Sequence, residues 1–360
     1  MADQSLPHLI LDPTANEPPT RDNPTHPSAL PAAKSVKTHP TKLNSTENAS
    51  IYFVGTATTI LEWEGIRLMT DPNFLHAGDH VHLGPGVTGT RKTNPALDLH
   101  ELPRIDVVLL SHYHADHFDQ EVESSLRRSL PIITTPHAKS HLSEKADGEA
   151  FTSVYDLDTF QSMFVDITLG AKDSQANVSQ KGPKSAAMKV TAMPGKHVPP
   201  GILGTLNDFL GAVPPTNGWM LELGYLPSSN DDSFQCTYRI YISGDTLLVD
   251  ELKTIPERYA GQNIDLMLIH LGGTSIPGPN APLLMVTMDA KQGVELLRLI
   301  NPDLTIPIHY DDYDVFQSPL SDFIKEIEQA GLSEKVVYLD RQDRYSFEVK
   351  DYQSSLMIRA

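Results

Sequence analysis

A layered α/β fold is what this sequence predicts, with strand ends gathered at one reactive edge. Three observations carry the expectation. Apolar runs at 105–110, 264–269 and 304–308 have the length and the Val/Ile/Leu content of strands buried on both faces. Helical patterns at 119–130, 287–300 and 321–330 fall between and after them, as in folds that cover a mixed sheet with helices. Run after run then ends in His or Asp: Asp71, His112, His197, Asp245, His270 and His309. Loops from separate strands converge at strand ends in such folds, so the recurrence points to one shared site.

The elements follow in chain order. Residues 1–49 carry Pro at 7, 13, 18, 19, 24, 27, 31 and 40, with Ser, Thr and Asn between. That composition buries too little apolar surface to make a core of its own. The segment is expected as a disordered or extended N-terminal arm, dispensable for folding of the monomer, with His8, His26 and His39 solvated. The folded domain is expected over 50–360. Residues 51–55, 58–63 and 66–70 read as strands, with Glu64-Gly65 as a turn and Asp71-Pro72 ending the third. A long connection over 73–103 holds several Gly and Pro together with His76, His80 and His82, read as surface residues.

After the run at 105–110, Asp119 is placed to cap a helix over 119–130, and 131–135 is a short strand. His137 and His141 read as structural, and 143–187 is polar and weakly patterned. A strand at 188–193 breaks at Pro194-Gly195-Lys196-His197. The loop 198–217 that follows contains Ile202, Leu203, Leu206 and Phe209, and suits an apolar substrate pocket or a subunit contact. Strands at 219–223 and 238–242 come next, the second ending in Ser243-Gly244-Asp245-Thr246. The run at 264–269 ends at His270, and 304–308 leads into His309-Tyr310. After the last helix, strands at 336–339 and 345–349 close the pattern.

Bulk properties narrow the partners. The net charge is −18, from 28 Lys and Arg against 46 Asp and Glu, and no basic run stands out. Nucleic-acid binding rests on clustered cations, so no nucleic-acid partner is expected. The single cysteine, Cys236, excludes an intramolecular disulfide framework and suits a reducing compartment. No signal-peptide pattern opens the chain, and no window approaches the ~20 apolar residues of a membrane span. The expectation is a cytoplasmic enzyme with a small-molecule substrate and no membrane span, forming a homo-oligomer, if at all, through the arm or the loop 198–217.

One stretch carries the chemistry: Ser111-His112-Tyr113-His114-Ala115-Asp116-His117. Four metal-capable side chains within six residues, directly after a buried strand, are hard to explain as packing, because His and Asp are costly to bury unpaired. Imidazoles beside a carboxylate are what a divalent transition metal selects. His112 and His114 alternate onto one side of an extended segment, while Asp116 and His117 turn with the chain as it leaves the strand. One strand end can thus serve two adjacent metals.

The motif resembles that of the metallo-β-lactamase superfamily, and the likeness runs in motif order from about 51 to 340. Gly55-Thr-Ala-Thr-Thr, Met69-Thr-Asp71-Pro72 and Pro307-Ile-His309-Tyr310 look like the branch with phosphodiesterases of N-acyl-ethanolamine phospholipids and sugar-phosphate lactonases. The stretches 55–82 and 111–117 look closer to fungal and bacterial lactamase-like hydrolases, some of which open benzoxazolinone. The resemblance implies a four-layer αββα sandwich with mixed sheets. It also implies two divalent metal ions, Zn²⁺ first, with Mn²⁺ or Fe²⁺ also compatible. His112, His114 and His197 would hold one, Asp116, His117 and His309 the other, with Asp245 bridging and Asp71 orienting a ligand His.

Paired metals ionise a water near neutral pH and polarise the substrate oxygen. Asp116 would hold the nucleophile's proton, and His270 or Tyr310 would stabilise the oxyanion or protonate the leaving nitrogen. The expected activity is opening of a small cyclic amide, a xenobiotic lactam, or a related lactone. A phosphodiesterase is the alternative within the superfamily, weakened by the acidic charge, with Arg91, Lys92 and Lys196 as its available cations. A di-iron redox protein of the same fold is the other class. Such proteins resemble this chain less, because they usually place Glu where His114 stands and append a flavin domain.

Overall fold

A computed structural model describes residues 6–41, 46–84, 87–146, 148–168, 185–198, 213–226, 234–276 and 284–350. In chain order the strands of the first half are β1 His8–Leu11, β2 Val36–Lys37, β3 Ala49–Gly55, β4 Thr58–Trp63, β5 Ile66–Thr70, β6 His80–Gly84, β7 Val87–Thr90, β8 Val107–Leu109, β9 Ile132–Thr134, β10 Val154–Asp156 and β11 Ser162–Ile167. Those of the second half are β12 Ser185–Met193, β13 Gly218–Leu226, β14 Gln235–Ile242, β15 Leu266–His270, β16 Ser275–Ile276, β17 Leu284–Met285, β18 Leu304–Ile308 and β19 Arg344–Phe347. The α-helices are α1 Gln120–Ser125, α2 Pro136–Ser143, α3 Thr254–Arg258, α4 Ala290–Ile300 and α5 Leu320–Ala330.

Two large sheets form the body. One runs β1-β11-β12-β13-β14-β15-β18 and the other β10-β9-β8-β5-β4-β3-β19-β2. Strand periodicity divides the apolar residues between layers. Ile51, Phe53, Val107 and Leu109 face inward and meet Val190, Leu221, Ile240, Leu268 and Ile306 of the opposite sheet in one core. Tyr52, Val54, Val108 and Leu110 face outward and are covered by Val122, Ala138 and Leu142 of α1 and α2. On the far side, Met220, Tyr241, Met267 and Ile269 are covered by Val294, Leu297, Phe323 and Ile327 of α4 and α5. This is the four-layer αββα sandwich of mixed sheets that was expected.

Direction places the site. Strands β5 and β8 are parallel, as are β14, β15 and β18, and β12 shares their direction through two antiparallel pairings with β13. The residues that follow these strands therefore come out along a common edge, at the seam between the sheets.

Residues 6–41 are docked on the body. Strand β1 pairs in parallel with β11, and Leu9 and Leu11 enter the inter-sheet core at 7% and 6% exposure. Strand β2 pairs with β19, and Arg21 pairs with Glu149 at 2.8 Å. The expectation that the arm is dispensable for folding is therefore revised. Proline-rich composition excludes a core of its own but not a few leucines lent to a neighbour's. The arm also explains a shortened helix. The pattern at 119–130 predicts three turns, but α1 stops at Ser125. Thr20 bridges Leu126 and Arg127 N–H donates to Pro19 C=O at 2.8 Å, which takes these residues into an extended path.

Other expectations shift locally. The strand at 336–339 reduces to a single bridge between Val336 and Thr305. The helix at 287–300 begins only at Ala290, because Asp289 caps it by accepting from Gln292 N–H at 2.9 Å. The connection 73–103 contains the hairpin β6–β7, on whose outer face His80 and His82 are exposed. His137 and His141 lie on α2 with ring centroids 4.3 Å apart. The apolar residues Ile202, Leu203, Leu206 and Phe209 lie outside the described residues. Among the described residues no helix is long and apolar enough to cross a membrane.

Candidate metal centre

The segment after β8 leaves the sheet at Ser111, whose N–H donates to Asp71 Oδ1 at 2.7 Å, so the ends of β5 and β8 are fastened together. From there His112 and His114 turn toward His197, which follows β12. His112 Nε2 lies 3.0 Å from both His114 Nδ1 and His197 Nε2. A second cluster forms from Asp116, His117, Asp245 after β14 and His309 after β18. Asp245 Oδ2 lies 3.2 Å from His117 Nε2 and 3.5 Å from His309 Nε2, and Asp116 Oδ2 is 3.6 Å from the latter. Of these seven side chains His114 is half-buried and the other six are buried.

Backbone geometry builds this arrangement. Gly244 has φ +61°, and a Cβ there would lie 2.3 Å from the Asn217 carbonyl oxygen, so only glycine turns the chain tightly enough to present Asp245. His309 sits at φ +61° and Asp71 at φ +35°, a left-handed region rare for non-glycine residues. His309 is held there by its N–H, which donates to Thr56 C=O at 2.7 Å. Strain of this kind concentrates at functional sites.

The donor set fits metal ions. His309 Nδ1 lies 2.9 Å from the Leu271 carbonyl and His197 Nδ1 lies 2.9 Å from that of Val286. A carbonyl only accepts, so each Nδ1 carries a proton and each Nε2 is the nitrogen turned into the site. Nε2 of His309 faces the carboxylates of Asp116 and Asp245, and Nε2 of His197 faces that of His112. His117 Nε2, His309 Nε2 and Asp116 Oδ1 are moreover buried without a hydrogen-bond partner, although His117 Nε2 is close to Asp245, because the alignment is wrong for such a bond. The donor atoms of Asp116, His117, Asp245 and His309 all lie within 4.8 Å of one another.

Electrostatics agree with the geometry. Burial drives His112 well below its ordinary value, helped by the neighbouring imidazoles, and drives His114 down to about 4 and His197 down as well. These rings are neutral donors. Burial opposes ionisation of Asp116 and Asp245, but the imidazoles around them outweigh it and hold Asp116 at about 2 and Asp245 well below the carboxylate range. Burial also opposes charge on His117, yet Asp245 and Asp116 raise it well above the ordinary value, so without an ion a proton on this ring balances part of the carboxylate charge that a divalent ion would otherwise meet.

Asp71 approaches His117 Nδ1 at 3.5 Å, which places it behind that ring. His270 is fully buried, with Nδ1 3.0 Å from Asp245 Oδ1, its Nε2 without a hydrogen-bond partner, and Asp71 and His117 close enough to form a third candidate group with it. The structure thus places His270 beside Asp245. Tyr310 has its hydroxyl engaged, donating to the Leu339 carbonyl at 3.1 Å, and its ring lies 6.4 Å from that of Phe53. Sequence reasoning missed Thr287, whose hydroxyl donates to Asp245 Oδ2 at 3.1 Å, and Leu83 of β6, which lines the cleft beside His114 and Asp116. Thr287 was absorbed into a helical pattern, and Leu83 lay in a connection without strand signal. The remaining described lining adds Val213, Val286 and Thr274, and no Lys or Arg.

Comparison with known proteins agrees with this picture. Residues 67–310 match the model of the beta-lactamase superfamily domain. A metal-dependent hydrolase of the UPF0173 group from Archaeoglobus fulgidus is 24% identical over 275 residues, covering 76% of this chain and 94% of that protein. A Salinibacter ruber member of the same group is 24% identical over 286 residues, covering 79% and 94%. Among solved structures, isothiocyanate hydrolase from Delia radicum gut bacteria aligns with a TM-score of 0.61 at 14% identity, over 84% of this chain and 100% of that one. The diiron β-hydroxylase CmlA from Streptomyces venezuelae aligns with a TM-score of 0.50 at 15% identity, over 84% and 55%. With two thirds of its length matched by the family model, the chain belongs to the beta-lactamase superfamily and is a metal-dependent hydrolase of the metallo-β-lactamase fold.

Proposed function

We propose that the chain is a dinuclear hydrolase that opens a small, mostly apolar cyclic amide, a lactam of xenobiotic type, with the corresponding lactone as a second substrate of the same chemistry. The observation that carries the reading is the pairing of two ligand clusters with a cleft whose described lining holds no Lys or Arg. His112, His114 and His197 would hold one ion, Asp116, His117 and His309 the other, with Asp245 between them. Zn²⁺ is the ion proposed, since His and Asp donors suit it, and Mn²⁺ or Fe²⁺ also accept this donor set. When bound, two such ions supply an ionised water and polarise a carbonyl.

The chain's own residues do the rest. Leu83, Val213 and Val286 exclude water from the cleft and favour an apolar ring. Asp116, ionised and with Oδ1 unpartnered, accepts the proton of the attacking water. Asp71 and His270 orient His117 and Asp245. A phosphodiester would leave a charged phosphate facing a lining without Lys or Arg among the described residues. The test is the metal-loaded enzyme against a panel of lactams, lactones, phosphodiesters and an isothiocyanate, with His112→Ala as the blank. Lactam turnover absent from the blank supports the reading; turnover of phosphodiesters alone overturns it.

A further inference from the structure

We infer that Asn73 and Arg91 form one positioning unit that sets the turn His114-Ala115-Asp116, and through it the second ion's ligands. The inference rests on the metal-centre reading above.

Arg91 is among the largest fully buried side chains, at 1% exposure. Among the described residues its guanidinium makes hydrogen bonds and a ring contact but no ion pair. Nε donates to Thr93 C=O at 3.0 Å, Nη1 donates to Asn73 Oδ1, and Cζ lies 5.3 Å from the centre of the Tyr313 ring. Burying a guanidinium without a carboxylate is expensive. A residue kept at that cost is doing something a neutral side chain does not do.

Its partner shows what. Asn73 is fully buried, two residues after Asp71. Its Nδ2 donates to Ala115 C=O at 3.2 Å and to Tyr313 Oη at 2.8 Å. The Ala115 peptide lies between His114, which belongs to the first cluster, and Asp116, which belongs to the second. Tyr313 belongs to the loop that begins at His309. One amide group thus ties together the chain segments that supply ligands from both sheets.

An asparagine amide can sit in either of two flipped orientations, and only one presents N–H to Ala115. Arg91 decides between them. A guanidinium donates and cannot accept, so it fixes Oδ1 on its own side and Nδ2 on the side of Ala115 and Tyr313. A neutral residue at 91 leaves both orientations open, and the wrong one sets carbonyl oxygen against carbonyl oxygen at Ala115.

The test compares Asn73→Ala, Arg91→Met and the double variant with wild type. Near-UV circular dichroism confirms the fold, and ion affinity is read by competitive chelation with Zn²⁺. Loss of a group that hydrogen-bonds and orients metal ligands typically weakens binding 10–100-fold. Each single variant is expected to lose about that factor for one of the two ions and keep the other, with kcat falling more than KM rises. The double variant is expected to lose no more than the worse single one, because the two residues share one path. If Arg91→Met does not fold, Asn73→Asp takes its place, since its second oxygen opposes the Ala115 carbonyl in the way a flipped amide does. Wild-type affinity in Arg91→Met, or losses that add in the double variant, overturns the unit. A wild-type chain that binds no Zn²⁺ overturns the metal-centre reading beneath it instead.

Discussion

Removing the two leucines that the arm lends to the core tests how far the N-terminal segment belongs to the fold. Leu9 and Leu11 are 7% and 6% exposed and pack in the cluster shared by both sheets. Leu→Ala changes in a core cost about 2–5 kcal/mol each, and positions at the edge of a sheet fall at the low end because the site can collapse. Together Leu9→Ala and Leu11→Ala should cost about 4 kcal/mol, somewhat less if the neighbours couple. For a domain of this size that is about 6 °C in Tm. Ile10, between them and 68% exposed, is the internal control, with a cost within about 0.5 kcal/mol. Urea unfolding followed by circular dichroism reads the midpoint shift at constant slope. A double variant within about 1 kcal/mol of wild type would refute the reasoning and restore the arm as a dispensable tail.

Three further outcomes follow. Asp289→Ala removes the cap of α4, which accepts from Gln292 N–H at 2.9 Å, and should cost about 1 kcal/mol in urea unfolding. Gly224→Ala should prevent soluble expression or lower Tm severely, because a Cβ there would lie 2.0 Å from the Gln235 carbonyl oxygen of the paired strand. Hydrogen bonds from Arg21 and Arg128 hold Glu149 at about 2, below its ordinary 4.5. A depressed carboxylate stabilises above its unfolded pKa and loses that contribution as pH falls through the folded one. Proteolytic release of the arm should therefore rise as pH falls from 4.5 toward about 2, and Glu149→Gln should remove that dependence.

How much of this was legible in the sequence depends on what kind of information each residue carries. The inner strands announced themselves because burial on both faces demands continuous apolar runs, so β8, β15 and β18 were placed within a residue or two. The ligand-capable residues were legible for the same reason: His112, Asp245 and His309 follow directly on such strands. Edge elements were not. Strands β1, β10 and β11 alternate or are half-buried, with Ser, Asp and His among their residues, and composition could not tell an arm in solution from one paired with β11. Tyr310 and His270 show another limit. Both follow or end strands at the site edge, yet rotation about one backbone position decides which side a side chain takes. The Tyr310 hydroxyl meets the Leu339 carbonyl, and His270 lies beside Asp245. Backbone carbonyls at Val286 and Leu271, which set the tautomers of His197 and His309, have no signature in residue type at all.

The central claim is that the two clusters hold two ions and that Asp245 joins them. Elemental analysis of the purified wild-type chain alongside Asp245→Asn, a shape-preserving change that removes one carboxylate charge from beside His117 and His309, tests it most directly. The account predicts two transition-metal ions per chain in the wild type, and at most one, with hydrolysis lost, in the variant. A metal-free wild-type chain that is fully active, or an Asp245→Asn chain that keeps both ions and full turnover, would contradict it.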